Sequence, residues 1–202
     1  MLKKIVIIGP ESTGKSTLCS QLAAHYKTIW VREYAREYLL EHGTDYSYDD
    51  LLTIAQGQIR LEEKAVEEMT NGERRMMNEE AEITNLSTTP HSSFNIHHST
   101  LFLDTDMQVM KVWCQFVFGK THPWIEEQLA QRHYDLYLLC NTDLPWVKDE
   151  LREYPDLATR EKLFTIYKTM MQNQSVPWVE IKGASDERLQ QAIAAVDKLL
   201  TQ

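Results

Sequence analysis

Apolar residues along this chain fall into two rhythms. Short, dense, β-branched or aromatic runs alternate with longer stretches in which apolar positions recur every three or four residues. The run from Lys3 to Ile8 ends at Gly9 and reads as a fully buried parallel strand. Beyond it, Leu18, Leu22 and His25-Tyr26 recur at helical spacing. Thr28 to Val31 reads as a second strand, and Tyr34 to Glu41 as a helix stopped by Gly43. A long helix is predicted from Tyr48 to about Thr70, with its apolar face through Leu51, Leu52, Ile54, Ala55 and Ile59. From Asn71 to Ser99 the periodicity fades into Ser, Thr, Asn and His around Pro90, which predicts a mobile excursion.

The pattern then resumes. Leu101-Phe102-Leu103 runs into Asp104, Leu136 to Cys140 ends at Asn141, and Trp178 to Ile181 supplies the last strand. Helices are predicted at about Gln108–Phe118, Trp124–Gln131 and Thr159–Asn173, with a final one from Asp186 to Leu200 capped by Ser185. Strands alternating with helices of this length imply a parallel sheet covered on both faces, in an α/β class fold. A length of 202 residues suits a single domain spanning 1–202, with the excursion at about 71–99.

Composition narrows the function classes. A net charge of −9 lacks the clustered Lys and Arg of a broad nucleic-acid footprint. The only N-terminal apolar run, Ile5 to Ile8, is too short for a signal peptide or membrane span, so a cytoplasmic location with no membrane partner is expected. Cys19, Cys114 and Cys140 sit in apolar contexts without metal-type spacing and read as buried packing. His91, His97 and His98 in the excursion lack the scaffold of a metal site.

The strongest chemistry lies between the first strand and the first helix. Gly9-Pro10-Glu11-Ser12-Thr13-Gly14-Lys15-Ser16-Thr17 satisfies GxxxxGK[ST], the phosphate-cradling loop. Its glycines admit torsions that turn successive N–H groups inward, and the following helix adds its positive end. Lys15 is placed to reach the β- and γ-phosphates, and the Ser16 hydroxyl to coordinate Mg²⁺. The fold expected is therefore a P-loop NTPase three-layer sandwich with a parallel five-stranded sheet and a helical lid. Asp104, at the end of an apolar strand, fits a Walker B carboxylate that holds magnesium, and Asp106 is expected to face the same way if the chain stays extended.

Several classes of P-loop protein are then separated. Cys140-Asn141-Thr142-Asp143 stands where a guanine reader would, without its lysine, so the nucleotide expected is ATP. A motor or AAA-type ATPase would need further sensor segments and more chain. A short kinase instead needs an acceptor carboxylate after the second strand and a basic lid. Glu33 supplies the first, with Tyr34 and Arg36 beside it to hold the acceptor or a phosphate. The stretch from Asp143 to Arg152, followed by Arg160, supplies the second. Arg152 and Arg160 would neutralise charge on the transferred phosphoryl group. The alternative is a regulatory nucleotide-binding ATPase that has no small-molecule acceptor.

Taken together, GPESTGKST, VREYAREYL, FLDTDM, VWCQFVFGKTHPW, HYDLYLLCNTDLPWVKDELR and the final helix resemble the ribosylnicotinamide kinase domain of NadR-type proteins. The resemblance covers the chain except about 71–99. It implies ATP-dependent phosphorylation of the 5′-hydroxyl of nicotinamide riboside in NAD biosynthesis, so a small ribosyl acceptor joins ATP as partner. Glu33, Asp104 and Asp106 would then face the ribose and magnesium, and neither adenylyl transfer nor DNA binding is implied. Kinase relatives are expected to stack the nicotinamide between aromatic residues. Here Arg32 stands just before the EYxR segment, and Gly57 to Leu61 holds no aromatic.

Overall fold

A computed structural model describes residues 2–84 and 100–201, with the side chains of 72–84 left out. Five strands form one wholly parallel sheet: β1 (Lys3–Ile8), β2 (Trp30–Val31), β3 (Thr100–Asp104), β4 (Leu136–Cys140) and β5 (Trp178–Ile181). Their spatial order is β2-β3-β1-β4-β5. Because β1 is central and its successors lie on both sides, a crevice opens at the carboxyl ends of β1 and β3, where such sheets bind ligands.

Seven helices accompany the strands among the described residues: α1 (Lys15–Tyr26), α2 (Tyr34–His42), α3 (Tyr48–Thr84), α4 (Met107–Phe118), α5 (Pro123–Gln131), α6 (Leu157–Gln172) and α7 (Ser185–Leu200). Alternate residues of each strand feed opposite cores, as a pleated backbone requires. Ile5, Ile7, Phe102 and Leu138 pack against Leu18 and Leu22 of α1 and Ala192 and Val196 of α7. Val6, Ile8, Leu103 and Leu139 pack on the other face against Val112 of α4 and Leu163 and Met171 of α6. A third cluster joins α2, α3, α4 and α5 around Leu51, Ile54 and Met110. The result is the three-layer α/β architecture that the sequence pattern predicts.

Three boundaries differ from that pattern. α3 continues to Thr84, well past the break expected at Thr70, so the start of the expected excursion is helical. The rest of it, with His91, His97 and His98, lies outside the described residues. α7 begins at Ser185 rather than being capped by it. Its N-cap is Ala184, whose N–H donates to Glu187 Oε2 at 2.8 Å. The lid becomes helical only at Leu157, and the segment before it is turn and irregular chain. All three cysteines are buried and unpaired, and burial pushes each thiol pKa up, so none is poised as a thiolate. No described helix is long and apolar enough to cross a membrane.

Candidate active site

The chain leaves β1 through Gly9, whose φ of 140° belongs to glycine. A Cβ there would lie 2.6 Å from the Cys140 carbonyl oxygen, so the loop can pass this close to β4 only with glycine. Two side chains then fold the loop around the Pro10 carbonyl, which accepts from Thr13 Oγ1 at 2.7 Å and Lys15 Nζ at 3.0 Å. Gly14 caps α1 in the left-handed region, and the helix starts at Lys15.

Buried Arg188 of α7 braces the loop from behind. It donates to the Thr13 carbonyl at 2.8 Å and the Asn141 carbonyl at 2.9 Å, and it pairs with Asp143. Asp143 also accepts from the Gly183 N–H at 2.6 Å, so the carboxylate standing in the guanine-reader position is already engaged. Nothing in the local pattern around Arg188 signals this brace.

Parallel register brings the carboxylates to the same edge. Asp104 is aligned with Ile7, just before the loop, and is only 1% exposed. Its Oδ1 is buried without a hydrogen-bond partner. Desolvation and the neighbouring Glu33 raise its pKa to about 6, against the opposing pull of Lys15 and a hydrogen bond from Ser16. An unpartnered buried carboxylate oxygen beside a serine hydroxyl is a donor set suited to a hard, oxygen-seeking cation. Glu33 is the N-cap residue of α2 but makes no cap bond with its side chain, so the carboxylate is left facing the site. Its Oε1 accepts from Thr105 Oγ1 at 3.3 Å.

A cavity of about 670 Å³ spans this edge. It is lined by the whole loop from Gly9 to Thr17 together with Glu33, Arg36, Asp104 and Arg152. Its apolar wall includes Trp30, Val112, Trp113, Phe116 and Tyr154. Phe116 and Tyr154 meet edge to face at 5.5 Å, and the Arg32 guanidinium lies 5.6 Å from the Trp30 ring centre. Sequence reasoning missed Phe116 and Tyr154. Trp113 and Phe116 share a helix face three residues apart, a spacing equally natural for core.

Three candidates lie elsewhere. Asp106 does not face the cavity, contrary to the extended-chain expectation. Thr105 has φ 88°, uncommon for a residue with a Cβ, and this turns the chain between the two carboxylates. Asp106 instead caps α4, accepting from the Gln108 and Val109 N–H groups at 3.0 and 3.4 Å and from the Tyr137 hydroxyl at 2.7 Å. Its burial raises its pKa to about 7, partly offset by these bonds. Tyr34 packs its ring on Gly57 of α3, where a Cβ would fall 2.0 Å from the ring. Gln58 holds the same turn, accepting from the Tyr34 N–H at 2.7 Å and donating to the Arg32 carbonyl at 3.2 Å. Buried Arg160 points its Nη2 at the carbonyls of Ser12, Thr142 and Leu144, 3.3 to 3.5 Å away.

Residues 143–156, the cover, lie over the loop and are bonded to it. Glu11 accepts the Glu153 N–H at 3.0 Å with one oxygen and the Tyr154 N–H with the other, and Ser12 Oγ accepts the Val147 N–H at 3.0 Å. Arg36 clamps Asp149 through two bonds of 3.1 Å, and Arg152 donates to the Val147 carbonyl. The arrangement brings cationic side chains, two adjacent carboxylates and an aromatic wall together around one cavity.

The family model for an AAA domain matches residues 4–188. The trifunctional NAD biosynthesis/regulator protein NadR of Salmonella typhimurium is 25% identical over 98% of this chain, which spans only 43% of that protein. Among solved structures, a NadR protein in complex with NR superposes with a TM-score of 0.69 at 20% identity, covering 98% of this chain and 51% of that one. Thymidylate kinase from Ehrlichia chaffeensis superposes at 0.62 with 11% identity, covering 96% of this chain and 98% of the other. These structural likenesses establish a shared fold. The matched family bears the AAA description that chain length argues against in the sequence, so chain length discriminates poorly here.

Proposed function

The chain belongs to the AAA domain family, and from that premise we propose that it is an ATP-dependent kinase that phosphorylates the 5′-hydroxyl of nicotinamide riboside or a similar nucleoside. The observation that carries this reading is the single cavity in which a complete phosphate loop, the Asp104–Glu33 carboxylate pair and an aromatic wall stand together. The similarity to part of the NadR proteins over nearly the whole of this chain, one of them crystallised with NR, supports the acceptor. A nicotinamide riboside ring is a cationic pyridinium, and Trp30, Trp113, Phe116 and Tyr154 offer the π-faces that attract such a ring.

The roles follow from position. The backbone N–H groups from Gly9 to Thr17 cradle the phosphates, and Lys15 leaves the Pro10 carbonyl to reach them. Ser16 and Asp104 would hold Mg²⁺, which supplies charge neutralisation on the phosphate oxygens. Glu33 accepts a hydrogen bond from the acceptor hydroxyl, orients it in line with the γ-phosphoryl group and takes its proton as the new bond forms. Arg152 and Arg36 stand at the rim, where each can swing from its present partner towards a phosphoryl oxygen. Arg160 serves from beneath, holding the Ser12 carbonyl and thereby the shape of the loop.

Transfer of radiolabel from γ-labelled ATP to nicotinamide riboside and to a panel of nucleosides tests the proposal. A labelled monophosphate product that requires magnesium is expected. Steady ATP consumption with no labelled acceptor would overturn the kinase reading and leave a regulatory ATPase in its place.

A further inference from the structure

Tyr46 lies in the loop between α2 and α3, and its hydroxyl joins the two sides of the site. The oxygen accepts from Trp113 Nε1 at 2.8 Å and donates to Glu153 Oε2 at 3.0 Å. Trp113 belongs to the aromatic wall, whereas Glu153 belongs to the cover. Glu153 in turn donates its backbone N–H to Glu11 Oε2 at 3.0 Å. A continuous chain of hydrogen bonds therefore runs from Trp113 through Tyr46 and Glu153 to Glu11 of the phosphate loop.

Packing fixes the Tyr46 ring independently of this link. It meets Trp113 edge-on at 5.0 Å and 76°, and Phe118 at 6.3 Å and 71°. The single phenolic proton is committed to Glu153 and one lone pair to the indole, so this one hydroxyl bonds both sides at once, beside the ring contact of Phe116 with Tyr154. The connection also answers an electrostatic problem. Desolvation and nearby Glu11 oppose ionisation of Glu153, while the Tyr46 bond favours the charged form.

We infer that Tyr46 is a positioning residue that couples the acceptor half of the site to the ATP half. An acceptor ring packed on Trp113 fixes the indole, which through Tyr46 holds Glu153 and so Glu11 and the loop. Each ligand then strengthens binding of the other by the same factor, as linkage requires. The inference rests on the kinase reading above.

Calorimetry with nicotinamide riboside and a non-hydrolysable ATP analogue, in the presence of magnesium, measures that factor. In the unaltered chain each ligand should tighten the other about fivefold or more. Tyr46→Phe should keep the ring packing and each separate affinity within about twofold, yet lose the mutual effect. Glu153→Gln, which can still accept from the phenol, should retain the coupling, and Glu153→Ala should lose it. A structural role would instead weaken both separate affinities together. Independent binding in the unaltered chain, or full coupling in Tyr46→Phe, overturns the inference.

A second readout separates failure of the acceptor assignment from failure of the coupling. If nicotinamide riboside does not bind, the acceptor reading fails, and hydrogen exchange across residues 43–47 with the ATP analogue alone decides the coupling. Slower exchange in the unaltered chain and no change in Tyr46→Phe sustains the link; equal behaviour overturns it.

Discussion

The phosphate loop and the cover lie against each other, yet they are held in different ways. The loop is shaped by its own residues, with Thr13 and Lys15 both wrapped onto the Pro10 carbonyl and glycine required at Gly9, and is backed by the buried side chains of Arg188 and Arg160. The cover contains no helix, and partners distant in sequence hold it: Arg36 on Asp149, Tyr46 on Glu153, Glu11 on two of its N–H groups. The loop is thus built on buried contacts, while the cover consists of more exposed, exchangeable bonds. A ligand entering this site has to break contacts of the cover far more than it has to remake the loop.

The sharpest test of a preformed loop is Lys15→Ala. Phosphoryl transfer should fall by about a thousandfold, the upper range for losing one preorganised charge-stabilising donor. The fold, followed by circular dichroism, should be unchanged, because the ammonium bonds only a loop carbonyl. Activity above a tenth of the starting value would mean that the loop does not organise the phosphates.

Next in size is Asp104→Asn, which should lower transfer about a hundredfold while raising thermal stability. The folded-state pKa of Asp104 is raised from 3.8 to about 6. Its contribution to stability is therefore fully present below the unfolded value and lost as pH climbs through the folded one. At neutral pH the buried charge is a liability that a neutral amide removes, so the ligand-free variant should melt a few degrees higher, roughly the effect of 1 kcal/mol. That advantage should shrink between pH 6 and pH 4. A lower melting temperature at pH 7.5 would show that the carboxylate is better satisfied than its orphaned oxygen suggests.

Gly57→Ala probes the joint between the two halves. Alanine ordinarily favours a helix over glycine by about 1 kcal/mol. Here the new Cβ would meet the Tyr34 ring at 2.0 Å and displace the turn that carries Glu33. A net loss of about 1–3 kcal/mol is expected from overpacking, with kcat reduced about tenfold by the misplaced carboxylate. Denaturant unfolding beside steady-state kinetics separates the two. A stabilised, fully active variant would show that Tyr34 moves freely.

The same contrast explains what could be read from the sequence. Loop, strands and most helices are written locally, in β-branched runs, the GxxxxGK[ST] spacing and 3.6-residue periodicity, and they appear where that pattern puts them. Asp104 and Asp106 look alike in the sequence, two residues apart after one strand. They diverge because Thr105 turns into positive φ, which no local preference of threonine announces. Gln58, Arg188, Tyr46 and Trp113 act through partners 24 to 175 positions away, so their parts emerge only from the folded chain. The extension of α3 beyond Thr70 was hidden for a different reason: Gly72 and a run of mostly charged and polar residues leave its few apolar positions too sparse to mark it.

The smallest expected effect concerns the clamp between Arg36 and Asp149. Arg36 is about half exposed, so the pair contributes little to global stability. Its consequence should be local. Asp149 Oδ1 also accepts the Leu151 N–H at 3.1 Å, so the carboxylate ties the cover's backbone to α2. Those bonds hold the Asp149 pKa below its ordinary value, with the Arg36 bond the largest cause. The sign is that of a depressed acid: the clamp's contribution is present above the unfolded pKa and disappears as pH falls through the folded one. Arg36→Ala should speed exchange of the Leu151 amide about threefold at neutral pH, the scale of an exposed ion pair, and should leave amides in β1 untouched. In the unaltered chain the same acceleration, corrected for intrinsic exchange, should emerge only below the usual carboxylate range. Equal protection of Leu151 in both proteins would place the hold on the cover elsewhere, with Glu11 and Ser12, and would make the phosphate loop itself the hinge against which the cover opens.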